Sequence, residues 1–179
     1  MKSVRMLILM VLTGICGMAC CAQPPKRQFQ FEQFPVEIYR GPIKIPEDLH
    51  KDENGDWRDE NDKWYPPVAV GFAGEYYLPI LGCGTGCRYH LLVNLRTGAG
   101  IPDISMFDAP EQRPKTKDGR TYVTLLYYRP NSSLLIAEYH LDFDDPQHET
   151  CRQRYFVLED GKLKPISKTF PFCTEGQEP

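Results

Sequence analysis

Residues 82–90 read Gly82-Cys83-Gly84-Thr85-Gly86-Cys87-Arg88-Tyr89-His90, and the shape of this stretch decides how the middle of the chain folds. In an extended strand the α-carbons of Cys83 and Cys87 would lie ~13 Å apart, at ~3.3 Å per residue. A disulfide needs ~4.4–6.8 Å. A bridge between them therefore demands a reversal within three residues, and Gly84-Thr85-Gly86 is a segment able to turn because glycine accepts positive φ. The stretch then becomes the stapled tip of a hairpin. Other readings fit less well. Cys83, Cys87 and His90 offer three metal ligands, where a structural zinc site takes four. A catalytic thiol needs a depressed pKa and an orienting third group, and spacing identifies none. A CxxxC pair lacks the CxxC spacing of redox motifs. A phosphate cradle would need a helix after the glycines.

The staple requires an oxidising compartment, and the N-terminus supplies one. Lys2 and Arg5 precede an apolar core at 6–13, and small residues and cysteines lead to Ala22. This is the pattern of an export signal. Two processing routes are open. Cleavage after Ala22 makes residues 1–22 a signal peptide and leaves Gln23 at the start. Cleavage before Cys20 makes 1–19 a lipoprotein signal and anchors Cys20 through lipid, because Gly17-Met18-Ala19-Cys20 resembles a lipobox, with Gly17 its weakest fit. No later segment approaches the ~20 apolar residues of a membrane span. The expected location is periplasmic, with membrane contact only through such an anchor. Of seven cysteines, Cys16, Cys20 and Cys21 lie in or beside the signal, leaving Cys83, Cys87, Cys151 and Cys173. The expected pairing is Cys83–Cys87 and Cys151–Cys173, although four cysteines admit three connectivities.

Loss of Lys2 and Arg5 with the signal takes the net charge from −3 to about −5. That balance argues against nucleic acid and against anionic membrane surfaces as partners. Roughly 155 mature residues suffice for one domain with its own core. Residues 23–46 read as a Pro-rich lead-in carrying Pro24, Pro25, Pro35, Pro42 and Pro46, with Phe29/Phe31 and Val36/Ile38 alternating as short edge strands would. Residues 47–179 read as a single β-rich domain. Short β-branched and aromatic runs predict strands at 68–72, 75–81, 88–95, 120–128, 133–140, 152–158 and 162–166, with turn residues between them. The expected fold is all-β, mainly antiparallel: a meander, a sandwich or a propeller-like arrangement with two disulfides.

One internal echo stands out. AspGluAsnGlyAspTrp at 52–57 returns seven residues later as AspGluAsnAspLysTrp at 59–64, and these copies hold both tryptophans, Trp57 and Trp64. It reads either as a charged surface loop whose tryptophans tuck back onto the sheet, or as an acidic, aromatic recognition loop. The first copy begins like a calcium loop but has Trp57 and Lys63 where an EF-hand places glycine and glutamate. AspPheAspAsp at 142–145 reads as a solvated turn or an acidic contact. His50, His90, His140 and His148 form no metal or catalytic spacing, and no serine elbow is present.

GlyPheAlaGlyGluTyrTyr at 71–77, GlyCysGlyThrGlyCys at 82–87, ValAsnLeuArgThrGly at 93–98, AsnSerSerLeuLeuIle at 131–136 and TyrPheValLeuGluAspGlyLysLeu at 155–163 carry a resemblance. Together they look like a family of small exported bacterial proteins with an FAGxY strand, a GCGxxC turn, a TG turn, an SxLL strand and a closing GK hairpin. The resemblance covers about residues 70–166. It implies envelope location and β architecture and no reaction, since the family has no established activity. In general character the chain is also similar to periplasmic immunity proteins that block wall-degrading effectors of type VI secretion: small, exported, β-rich, cysteine-stapled and acidic. No residue motif carries that second likeness.

The expected function is a periplasmic binding or inhibitor protein, an immunity protein against a secreted effector enzyme. The candidate contact residues are Trp57, Trp64, Thr85, Tyr89, His90, Asp142 and Asp144. An acidic inhibitor would suit a basic partner. The alternative is an envelope structural or assembly lipoprotein without a toxin partner, and a third reading is a hydrolase using dispersed acids. The sequence assigns no catalytic residue, no metal and no cofactor.

Overall fold

A computed structural model of the chain describes residues 27–84, 87–110 and 113–174; the segment expected to be an export signal, Cys20 and Thr85 lie outside them. Every strand pair among the described residues is antiparallel. The echo at 52–64 supplies most of the first sheet. It folds as a miniature sheet of β1 (His50–Lys51), β2 (Trp57–Arg58) and β3 (Trp64–Tyr65). Each copy builds the same turn. Asp52 Oδ1 accepts the backbone N–H groups of Asn54 and Asp56 at 2.8 and 3.0 Å, and Asp59 Oδ1 accepts those of Asn61 and Lys63 at 2.9 and 3.0 Å. The fourth residue of each turn is left-handed, Gly55 at φ 85° and Asp62 at φ 62°. Aspartates that bond their own backbone in this way close turns. Their carboxylates are committed to backbone donors, which accounts for the repeated sequence without calcium.

The next unit is a long, broken hairpin of β4 (Tyr76–Tyr77), β5 (Ile80–Gly84), β6 (Cys87–His90) and β7 (Val93–Asn94), with β4 paired to β7 and β5 to β6. The sequence predicts two unbroken strands here, 75–81 and 88–95. Each is interrupted once, at Leu78-Pro79 and at Leu91-Leu92, because Pro79 has no N–H to give the ladder. Leu78 and Leu92 turn into one core while Tyr77 and Leu81 enter another. The predicted strand at 68–72 is absent. Phe72 and Tyr76 instead close a tight turn through paired backbone bonds of 3.0 and 2.9 Å, with Ala73 at φ 45° and Gly74 at φ 79°. At Gly74 a Cβ would lie 2.4 Å from the carbonyl oxygen of Glu37, so both its φ and its neighbour require glycine.

The frame is a four-stranded meander, β8 (Tyr122–Tyr128), β9 (Leu134–Leu141), β10 (Thr150–Glu159) and β11 (Lys162–Pro165), in sequential order. These strands match the predicted 120–128, 133–140, 152–158 and 162–166 closely. Of the three expected arrangements it is the meander. Both faces are covered. On one face Leu126, Leu135, Ala137, Phe156 and Leu158 pack beneath Phe72, Leu78, Leu92 and a 3-10 turn at Pro102–Phe107. On the other, Leu134, Ile136 and Tyr155 pack beneath Phe29, Phe31, Phe34, Ile166 and Phe170. That double cover explains why Leu134–Ala137 is an uninterrupted apolar run rather than an alternating one. It also changes the reading of the Pro-rich segment. Far from a loose lead-in, residues 29–44 are bonded along the domain: Val36 N–H to Asn131, Tyr39 N–H to Gly74 and Lys44 N–H to Leu95. Its apolar alternation produces a 3-10 turn at Phe31–Gln33 and one isolated bridge, Pro35 to Ser132, in place of edge strands.

Candidate binding surface

The stapled tip forms as its glycines require. Cys83 and Cys87 are disulfide-bonded with α-carbons 5.1 Å apart. Cys83 sits in a bulge between the Gly82–Arg88 and Gly84–Cys87 pairs, and Gly84 takes φ 131°. Behind the tip, Tyr89 leans on the first sheet. Its hydroxyl lies 3.5 Å from that of Tyr65, and Lys63 Nζ stands 4.3 Å from its ring centroid. Burial, followed by this hydroxyl contact, raises the Tyr65 phenol well above its ordinary pKa. The tip and the first sheet therefore buttress one another.

The two tryptophans part company. Trp57 pairs with Tyr65 and Trp64 with Arg58 across β2 and β3. Neighbours along a strand face opposite ways, so the tryptophans occupy opposite faces of this sheet. Trp57 is half-buried against Leu49, Tyr65 and Leu81, with Lys51 Nζ 5.2 Å from its ring. Trp64 is 50% exposed on the outer face, beyond turns that present Glu53, Asp56, Glu60 and Asp62 to solvent. Trp57 tucks back onto the neighbouring core as the first sequence reading expects, while Trp64 is left exposed.

The remaining predicted contact residues are placed elsewhere. His90 is buried, its side chain wholly inaccessible, and has no surface to offer a partner. Asp108 Oδ1 accepts its backbone N–H at 2.8 Å and faces its Nδ1 at 3.0 Å, while its Nε2 is buried without a hydrogen bond. Burial holds the imidazole below its ordinary pKa, with Asp108 opposing. A histidine kept neutral by folding is lost to protonation as pH falls. The stability it supports is complete above about 6.5, the ordinary value, and declines as pH drops from there towards the folded pKa. His90→Gln should flatten that acid limb in urea melts taken across the window, and an unchanged slope would assign it to the carboxylates. Asp142 and Asp144 are held by arginines: Asp142 Oδ2 accepts Arg120 Nε at 2.6 Å, and Asp144 is clamped by both terminal nitrogens of Arg113. Both acids hold the β8–β9 end of the sheet, and Asp142 does so at φ 54°.

Sequence reasoning missed two features. The first is an open cleft of about 420 Å³ on the main sheet, where Lys115, Lys117, Arg152 and Arg154 surround Tyr122 and Tyr139. The lysines come from the segment before β8 and the arginines from β10, so the pairing of β9 with both β8 and β10 is needed to bring them together. The second lies across the same sheet, at the other disulfide. Cys151 and Cys173 are bonded with α-carbons 5.6 Å apart, tying the C-terminal tail to β10. Glu138 beside them is fully buried in β9, and its Oε1 accepts the Thr174 N–H at 3.1 Å. His140, two residues on and directly across from Cys151, lies with Nε2 3.6 Å from both Cys151 Sγ and Glu138 Oε2. Its Nδ1 meets Glu149 Oε1 at 2.6 Å. Glu138 raises its pKa most, burial opposes this, and Glu149 adds to the rise. A glutamate inside the run LeuLeuIleAlaGluTyrHisLeu was the available signal, since period-2 alternation puts 138 and 140 on one face.

No family model matches the chain, and the curated proteins and solved structures contain no match to it.

Proposed function

We propose that the protein is a binding or inhibitor protein of the periplasm, an immunity protein that blocks a secreted wall-degrading effector. The observation that carries this reading is Trp64. It is a large aromatic side chain, half exposed on the outer face of a sheet braced from behind by Tyr65, Tyr89 and the Cys83–Cys87 tip. A rigid aromatic anchor loses little side-chain freedom on binding and is the residue type most enriched in interface hot spots. The exposed acids on the flanking turns give the rim a negative field suited to a basic partner, which speeds encounter at low ionic strength. The two disulfides fit an oxidising compartment.

The test compares wild type with Trp64→Ala and Trp57→Ala against the partner captured from envelope extract. Trp64→Ala should weaken affinity about 30-fold, about 2 kcal/mol, with an unchanged melting temperature. Trp57→Ala should lower the melting temperature, because that ring belongs to the core. Affinity unchanged in Trp64→Ala would remove this surface from the reading. Turnover of a wall fragment by the purified protein, with no partner captured, would replace binding by hydrolysis.

A further inference from the structure

We infer that the Cys151–Cys173 staple is one of two alternative clamps, and that reduction converts it into a binding site for a divalent ion of the zinc class. Glu138, His140, Cys151 and Cys173 each present a ligand atom, and these atoms all lie within 4.8 Å of one another. In a tetrahedral zinc site, with bonds of ~2.0–2.3 Å, donors stand roughly 3.3–3.8 Å apart. The set therefore needs to contract by about 1 Å, apart from the two sulfurs, which must separate once their bond is gone.

The second shell is already built. His140 Nδ1 is held by the Glu149 carboxylate at 2.6 Å, which fixes the tautomer that turns Nε2 towards Glu138 and the sulfurs. A carboxylate behind the far nitrogen of a ligating histidine is the arrangement that orients metal-bound imidazoles. Glu138 is positioned likewise, its Oε1 fixed by the Thr174 N–H and its Oε2 directed to His140. The backbone supplies rigidity: Glu138, His140 and Cys151 sit on paired strands, and Cys173 alone comes from the tail. The other disulfide has no such company. His90 points away to Asp108, and no carboxylate or imidazole is grouped with Cys83 and Cys87 among the described residues.

The chemistry balances. A dithiol reductant gives two electrons and two protons to the disulfide and closes its own, leaving Cys151 and Cys173 as thiols. A divalent cation then displaces both thiol protons, and any proton on His140 Nε2, into solvent. The product links the tail to the sheet through the ion where the sulfur–sulfur bond linked it before.

Cobalt(II) is the probe, since it reports tetrahedral thiolate ligation optically. The full-length chain is reduced anaerobically with a phosphine and titrated with cobalt(II) chloride, then with zinc chloride. One equivalent of cobalt should give thiolate-to-metal charge transfer and intense tetrahedral d–d bands, both erased by zinc. The bands should persist in Cys83→Ser/Cys87→Ser and vanish in Cys151→Ser and in Cys173→Ser. Glu149→Gln, which removes no ligand but weakens the support behind His140 Nδ1, should weaken cobalt binding by about tenfold while retaining the spectrum. Before reduction no bands should form. Circular dichroism is recorded alongside. A reduced protein that stays folded without binding cobalt overturns the inference. So does one that unfolds and is not refolded by the metal, and so do bands that depend on Cys83 and Cys87.

Discussion

Phe72→Ala should cost about 3–5 kcal/mol of folding stability, the range for truncating a fully buried phenylalanine. Phe72 has no exposed surface, meets Tyr128 edge-on with centroids 5.9 Å apart, and packs with Tyr76, Leu78 and Leu92 over the main sheet. The cost depends on whether the surroundings can close the void, and here they are pinned. The turn carrying Phe72 is bonded from three sides: Ala73 N–H to Ser132, Gly74 N–H to Pro130, and Tyr39 N–H to the Gly74 carbonyl. Movement inward would break backbone bonds, so the cavity stays open. Thermal melts should show a fall of roughly 10 °C or more for a domain of this size. A loss below about 2 kcal/mol would mean that the turn relaxes after all.

Removing the Cys151–Cys173 bridge as a serine pair should cost about 3 kcal/mol, against about 2 kcal/mol for the Cys83–Cys87 pair, in the chain-entropy account of cross-links. The first closes a sequence separation of 22 and the second a separation of 4. The longer bridge should cost more again, because the tail it holds covers the Glu138 and Gln153 side chains, both fully buried. Thr174 donates to each of them, through its N–H to Glu138 and through both N–H and hydroxyl to Gln153. A freed tail would bare a buried carboxylate. Guanidinium melts of the two double variants should therefore separate clearly, and a larger loss at the tip would contradict the assignment.

The four meander strands were legible because each is a long β-propensive run between strong turn signals, as in LeuLeuTyrTyr before ProAsnSerSer. The stapled tip was legible for a different reason, since α-carbon spacing leaves a CxxxC pair little freedom. The broken hairpin was not. Pro79 announces an interruption, but which core each side of the break enters depends on a surface supplied by residues far along the chain. Phe72 misled in the same way: its run looks like a strand end, and only the left-handed pair Ala73-Gly74 turns it back. At the candidate sites the sequence named Trp64 and Tyr89 from composition, and it named His90 from proximity to the cysteines, which says nothing of burial. The Cys151–Cys173 bridge was read correctly, but its company with Glu138 and His140 escaped, because two strands and the tail must meet before they are neighbours.

The heptad echo has a consequence for descent. A tandem duplication of seven residues adds one turn and one strand to the first sheet, and alternation hands each new copy to the opposite face. Gene copies usually diverge by substitution. Here two copies with the same tryptophan differ by position alone, one ring inward and one outward. A third unit in the same register would turn its tryptophan inward and leave Trp64 where it is, whereas loss of the second unit would leave Arg58 as the outward residue of the first sheet.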